Sequence, residues 1–338
     1  MRRILGGLMF VFLISACGGG DRFDVDVSDI QVAPVKISRF DQAVFGFDTS
    51  QIVAERLKLE KTYGSFYAGF YERIICPGTF DQPLCNLQIK SFITDHDMRS
   101  AFDDCNKKFT DFKPTELAIE DAFRHFKYYF PKKTLPLKIH AMMAGFNYNI
   151  MHIEGEYGIG LENYLGADAK YYAQMQQPNY RKRKETPDYL VPDFVKAWMM
   201  NEFPLVDEKG DLLTKMIYEG KLLYLLHAIL PETADTIRLG YSRKQLSWAQ
   251  NAEADVWAYL IEKKLLYNTN QTDIIPLVNE GPFTTGFSQE SPPRLASWIG
   301  LRIVESYMEN YPNANLESML MLSDAQVLLN RSKYKPKF

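Results

Sequence analysis

The chain has 338 residues, 46% of them hydrophobic and 24% charged, which is the make-up of a globular protein and excludes a disordered one. Its 39 Lys and Arg against 42 Asp and Glu leave a formal net charge of −3, without the broad basic surface that duplex nucleic acid demands. Aromatic residues are plentiful, with 22 Phe and 20 Tyr, but scattered, as in a large core.

The opening stretch MRRILGGLMFVFLISAC sets two arginines, Arg2 and Arg3, before an apolar run from Leu8 to Ile14, then small residues and Cys17. That run falls short of the roughly 20 apolar residues a spanning helix needs, so residues 1–16 read as a secretory signal ending in a lipobox. A plain signal with a chance cysteine is the simpler alternative. With Cys17 as the lipidation site, the mature chain is anchored to a membrane without crossing it, in the cell envelope and facing the periplasm, on the inner or the outer membrane. Residues 17–29, with GGGD at 18–21, are expected to be a flexible tether, and residues 30–338 a single domain.

The N-terminal part of that domain, 30–136, reads as helical after an extended segment from Ile30 to Ile37. Apolar spacing predicts a helix from Ser50, a plausible cap, to Ile74, and another from Pro114 to about Phe130, ended by Pro131 and Pro136. Between the first two helical stretches, Cys76 and Cys85 bracket CPGTFDQPLC, a bent loop that a disulfide would close in an oxidising compartment. A metal site is the rival there, but no His stands nearby at ligand spacing. Cys105 is left over.

From Leu137 to Tyr164 the pattern changes to short alternating or apolar runs punctuated by glycine, predicting a small mixed or antiparallel sheet packed on helices. The fold class is thus α+β, mostly helical. A polar segment follows with the basic run Arg181, Lys182, Arg183 and Lys184, read as a solvated loop. Beyond Pro192 the strongest helical stretches are Phe194 to Met200, Leu212 to Leu230, Ser242 to Leu266 and Arg294 to Tyr311. The second of these is apolar nearly all round and belongs in the middle of the fold.

RFDQAVF, AFRHFKYYFP, GFNYNI, GIGLENYLG, MIYEGKLLYLLHAILP, IRLGYSRKQLSWAQNAEADVWAYLIEKKLLY, GPFTTGFSQESPPRLASWIGLRIVESYM and the closing SKYKPK stand in collinear order from about Arg39 to the end. Together they make the chain resemble the GldB gliding-motility lipoproteins of the Bacteroidetes. The resemblance implies an envelope lipoprotein that serves gliding and the linked type IX secretion machinery, with other envelope proteins as partners.

The order of sheet, edge strand GIGLENYL and buried helix also looks like a zincin, whose helix carries H-E-x-x-H: two His bind zinc and the Glu between them takes a proton from the metal-bound water. Here Tyr218 and Leu222 occupy the ligand positions and only Glu219 matches. A phenol is a poor neutral ligand and an isobutyl group has no lone pair, so no zinc site forms on this helix. Glu253, on the following helix, sits at a vestigial third-ligand position. His96, His125, His140, His152 and His227 share no ligand spacing, although His140 and His152 fall on what read as neighbouring strands. Lys215, four residues before Glu219, is its expected ion-pair partner.

These residues point to a non-enzymatic, lipid-anchored component of the gliding apparatus, without cofactor or metal: a degenerate zincin-like domain. Two alternatives stay open. One is a hydrolase or peptidase with residual chemistry based on Glu219. The other is a glycan-binding lipoprotein using Tyr171, Tyr172, Tyr180 and Tyr189 as stacking rings.

Overall fold

A three-residue strand, β1 (Ile37–Arg39), runs straight into helix α1 (Phe40–Phe45) and ties the start of the chain to a sheet formed much later in sequence. The structure, a computed structural model, describes residues 22–77, 83–136, 138–206 and 209–336; the signal at 1–16, Cys17 and the start of the expected tether lie outside them. Helices α2 (Ile52–Phe70), α3 (Pro83–Thr94), α4 (His96–Lys108) and α5 (Lys113–Tyr129) follow. Next come β2 (Lys138–Met142), β3 (Ile150–Ile153) and β4 (Glu156–Gly160). Short helices α6 (Lys170–Gln174) and α7 (Asn179–Lys182) lead to the C-terminal half. That half holds α8 (Leu190–Glu202), α9 (Leu212–Ile229), α10 (Asp235–Leu239), α11 (Arg243–Asn251) and α12 (Glu253–Glu262). It ends with α13 (Gln271–Val278), α14 (Leu295–Asn310), α15 (Leu316–Met321) and α16 (Ala325–Ser332). The fold is α+β and mostly helical.

The sheet is mixed, in the order β1-β2-β4-β3, with β1 and β4 parallel to β2 and β3 antiparallel to β4. Two expectations are corrected here. The segment GIGLENYL does not form the edge: β4 is an interior strand, buried along its whole length, and residues Leu161–Tyr164 turn as a 3-10 helix. His140 and His152 are not on neighbouring strands, because β4 lies between β2 and β3. Period-two alternation fixes which face a side chain takes but leaves strand order open. His140 is instead a buried structural residue, with Glu156 Oε2 2.7 Å from Nε2 and Ser38 Oγ 2.6 Å from Nδ1.

Two local features also differ from their sequence reading. Helix α2 begins without a side-chain cap, since Ser50 turns its hydroxyl to Asp48, and it bends at Gly64, whose φ of 51° a β-carbon would strain. The stretch expected as one helix over 242–266 breaks at Ala252 into α11 and α12. Cys76 and Cys85 are joined by a disulfide with a Cα–Cα separation of 5.5 Å, and Cys105 is a buried free thiol.

Helix α9 is buried around nearly its full circumference and packs on α14, α8 and α5. Asp211 caps it, accepting from the Thr214 N–H at 2.8 Å. Its closest neighbour is α14, where Gly220 and Gly300 face each other: a β-carbon on Gly300 would collide with the Met216 carbonyl, and one on Gly220 with the Gly300 backbone. Glycine at both positions lets the two backbones touch.

The tether expected over 17–29 does not reach Asp29. Arg22 already donates to Tyr224 Oη at 3.2 Å and to the carbonyls of Met308 and Ala314 at 3.2 and 3.0 Å. Phe23 is 3% exposed and meets Tyr224 and His227 edge-on at ring distances of 5.0 and 4.9 Å. Burying one Phe side chain stabilises by about 2 kcal/mol, and it acts together with the Arg22 hydrogen bonds to hold the start of the segment on the body.

Candidate functional site

Glu219 points from α9 toward α8, and its partner there is Lys196, 3.2 Å away, not Lys215. Lys215 bonds Gln271 Oε1 instead, at 2.9 Å. Helical spacing names candidate partners on the same element, whereas here tertiary packing supplies a better one. One turn before Lys196, Asp193 accepts from Asn149 Nδ2 at 3.2 Å and from the Tyr164 hydroxyl at 3.0 Å. Asn149 precedes β3 and Tyr164 closes the turn after β4, so α8 couples the end of the sheet to α9.

A second group of charges lies close by. Glu280, after α13, takes Lys184 at 2.8 Å and Arg294 Nε at 3.1 Å, and Arg294 Nη2 also donates to the Leu239 carbonyl at 2.6 Å. Arg294 stands in the left-handed region, φ 59°, at the N-terminus of α14. The buried Thr284 hydroxyl braces that turn, donating to the Pro292 carbonyl at 2.8 Å and accepting from the Leu295 N–H at 3.1 Å. The two groups feel each other. Burial raises the Asp193 carboxyl, opposed by Asn149, Tyr164, Lys184 and Lys196. Burial also raises Glu280, but Arg294 and Lys184 outweigh it and hold that carboxyl below the ordinary range. The Lys184 ammonium is pushed down by burial, and Glu280 partly restores it.

Glu219 is thus paired with Lys196, Glu280 with both Lys184 and Arg294, and Asp193 with the neutral donors Asn149 and Tyr164. Proton transfer through Glu219 would first have to break its ion pair. The basic run is correspondingly not just solvated: Lys184 pairs with Glu280, and Arg183 donates to the Gly240 carbonyl at 2.8 Å and to Gln245 Oε1 at 3.1 Å. Sequence reasoning passed over Asp193, Glu280 and Arg294. They come from three separate segments that only the fold brings together, so no local pattern marks them.

The other predicted site residues disperse. Glu253 lies in a separate cluster, accepting from Arg302 Nε at 3.0 Å and from the Tyr334 hydroxyl at 2.9 Å, with Glu305 on the same guanidinium. Tyr218 and Leu222 instead line a cavity of about 400 Å³, where burial and the nearby Glu219 push the Tyr218 phenol up to about 12. Tyr171, Tyr172 and Tyr189 are buried and Tyr180 half-buried, so they form no stacking surface and the glycan-binding reading falls. Among the described residues, no three His, Cys, Asp or Glu side chains are grouped to hold a metal ion, and no helix is long and apolar enough to cross a membrane.

The protein is thus a mostly helical α+β body with a partly buried cluster of partnered charges where one central helix meets its neighbours. The family model described as gliding motility protein GldB matches residues 20–336, and the chain belongs to that family, which carries involvement in gliding motility with it. No curated protein and no solved structure matches the chain.

Proposed function

We propose that this protein is a lipid-anchored, non-catalytic component of the gliding and type IX secretion apparatus, held in the envelope through Cys17, facing the periplasm and binding other envelope proteins. The observation that carries the non-catalytic part is the fate of the helix MIYEGK. Its Glu219 carboxylate is neutralised by Lys196 at 3.2 Å, while Tyr218 and Leu222 turn toward a different cavity. The zincin likeness supports this reading only through that helix, as a body whose metal-binding positions are filled by residues that bind none. The Cys17 anchor draws on the signal-like residues 1–16 and on family membership.

Crosslinking in intact cells followed by affinity capture is expected to recover envelope proteins with the full chain. Glu219→Gln, which keeps size and hydrogen bonding but removes the charge, is expected to leave both capture and gliding at wild-type levels. Loss of gliding at normal protein abundance would return a chemical role to Glu219. Stoichiometric zinc together with peptidase activity in the purified chain would end the non-catalytic reading outright.

A further inference from the structure

The face of α9 turned away from Glu219 and its charged neighbours closes a cavity of about 400 Å³, within the range of small-molecule sites. Its apolar walls are Ile217 and Leu222 of α9, Leu205 and Val206 after α8, and Leu320 and Met321 of α15. The rim is apolar and open to solvent, with Val206 64% and Met321 76% exposed. Exposed aliphatic side chains around an apolar hollow mark a surface that gains by being covered.

One cation lies inside. Lys221 is 6% exposed, and its Nζ donates to the Leu320 and Leu322 carbonyls at 3.3 and 2.6 Å, at the end of α15. Those contacts use dipoles and leave the charge without a counter-ion: among the described residues no carboxylate pairs with Lys221. Of the other charged groups on the lining, Lys133 and Glu202 pair with each other at 3.3 Å, and Glu317 is exposed. A buried ammonium with no anion is costly, and a monoanionic group delivered by a ligand offsets that cost. The remainder of such a ligand must match carbon. No strand borders the cavity, so an extended peptide would find no sheet edge to pair with.

We infer that this cavity binds a long-chain fatty acid, its carboxylate on the Lys221 ammonium and its alkyl chain along Leu205, Val206, Leu222 and Met321. The site is separate from the charged cluster around Glu219 and stands whether or not the protein is catalytic.

The test uses the full-length chain carrying Cys17→Ser, so that no acyl group of its own competes, titrated with the fluorescent fatty acid cis-parinaric acid and displaced with palmitate. Saturable binding is expected, with displacement by palmitate but about tenfold weaker displacement by methyl palmitate, which has the same chain and no carboxylate. Lys221→Met should weaken binding about tenfold or more, and Val206→Glu, at an exposed rim position, about fivefold with an unchanged melting temperature. Absence of saturable binding overturns the assignment, as does equal displacement by the methyl ester or undiminished binding by folded Lys221→Met. Stronger displacement by a peptide with an apolar last residue and a free α-carboxylate would give the cavity to a protein partner and overturn it too. Should Lys221→Met fail to fold, the ester comparison and Val206→Glu decide the matter.

Discussion

A single turn of α9 borders two environments that handle charge in opposite ways. On the Glu219 side, Lys196 pairs with Glu219, Lys184 and Arg294 share Glu280, and Asp193 is held by the Asn149 amide and the Tyr164 hydroxyl, so every carboxylate of the cluster has a partner. On the Lys221 side, an ammonium sits among aliphatic walls with only backbone carbonyls for company. The lesson is that the residue types most suggestive of chemistry do not mark the more demanding site. Glu219 looks catalytic by motif and is satisfied. Lys221, two residues on, looks like an ordinary helix lysine and is buried with no carboxylate partner among the described residues.

The largest effect should come from separating the helices that hold both faces. Gly300→Ala drives a methyl into the Met216 carbonyl, and overpacking at backbone contact is expected to cost about 3 kcal/mol, read as a clear fall in melting temperature. An unchanged melt would mean that α9 and α14 do not touch there.

Next is the titration of Lys221, which burial pushes down to about 8 from its ordinary 10.5. Between those values the unfolded chain binds more protons than the folded one, so stability should rise as pH climbs through that window, by at most about 3 kcal/mol. Tyr218 on the same lining is held up to about 12 and stays neutral throughout. Denaturant melts of wild type and Lys221→Met across this range should differ by that slope; parallel curves would show that Lys221 is not desolvated. Smaller still is Lys196→Met, which strands the partly buried Glu219 carboxylate and should cost about 1 kcal/mol. Its double-mutant cycle with Glu219→Gln should recover most of that cost, while a zero coupling would refute the pair.

Long helices with strong apolar patterning were legible: the expected stretch from Leu212 to Leu230 is α9 (Leu212–Ile229), and Arg294 to Tyr311 is α14 (Leu295–Asn310). The sheet region was legible as well, but not its fourth strand, because Ile37–Arg39 is too short to carry a period and gains its identity only by pairing with β2. Strand order failed for GIGLENYL because alternation says nothing about neighbours. Glu219 was recognised and its partner missed, since Lys215 is close in sequence and Lys196 only in space. Asp193, Glu280 and Arg294 come from three separate segments, and nothing in any one of them announces the other two.

Arg22 and Phe23, pinned against Tyr224, Met308 and Ala314, also set a length scale. With acyl chains on Cys17, the stretch from 17 to 22 can extend no further than about 18 Å. On the proposed Cys17 anchor, Arg22 and the helices that hold it would then lie within that reach of the lipidated residue, and anything docking beside them would have to fit the same interval.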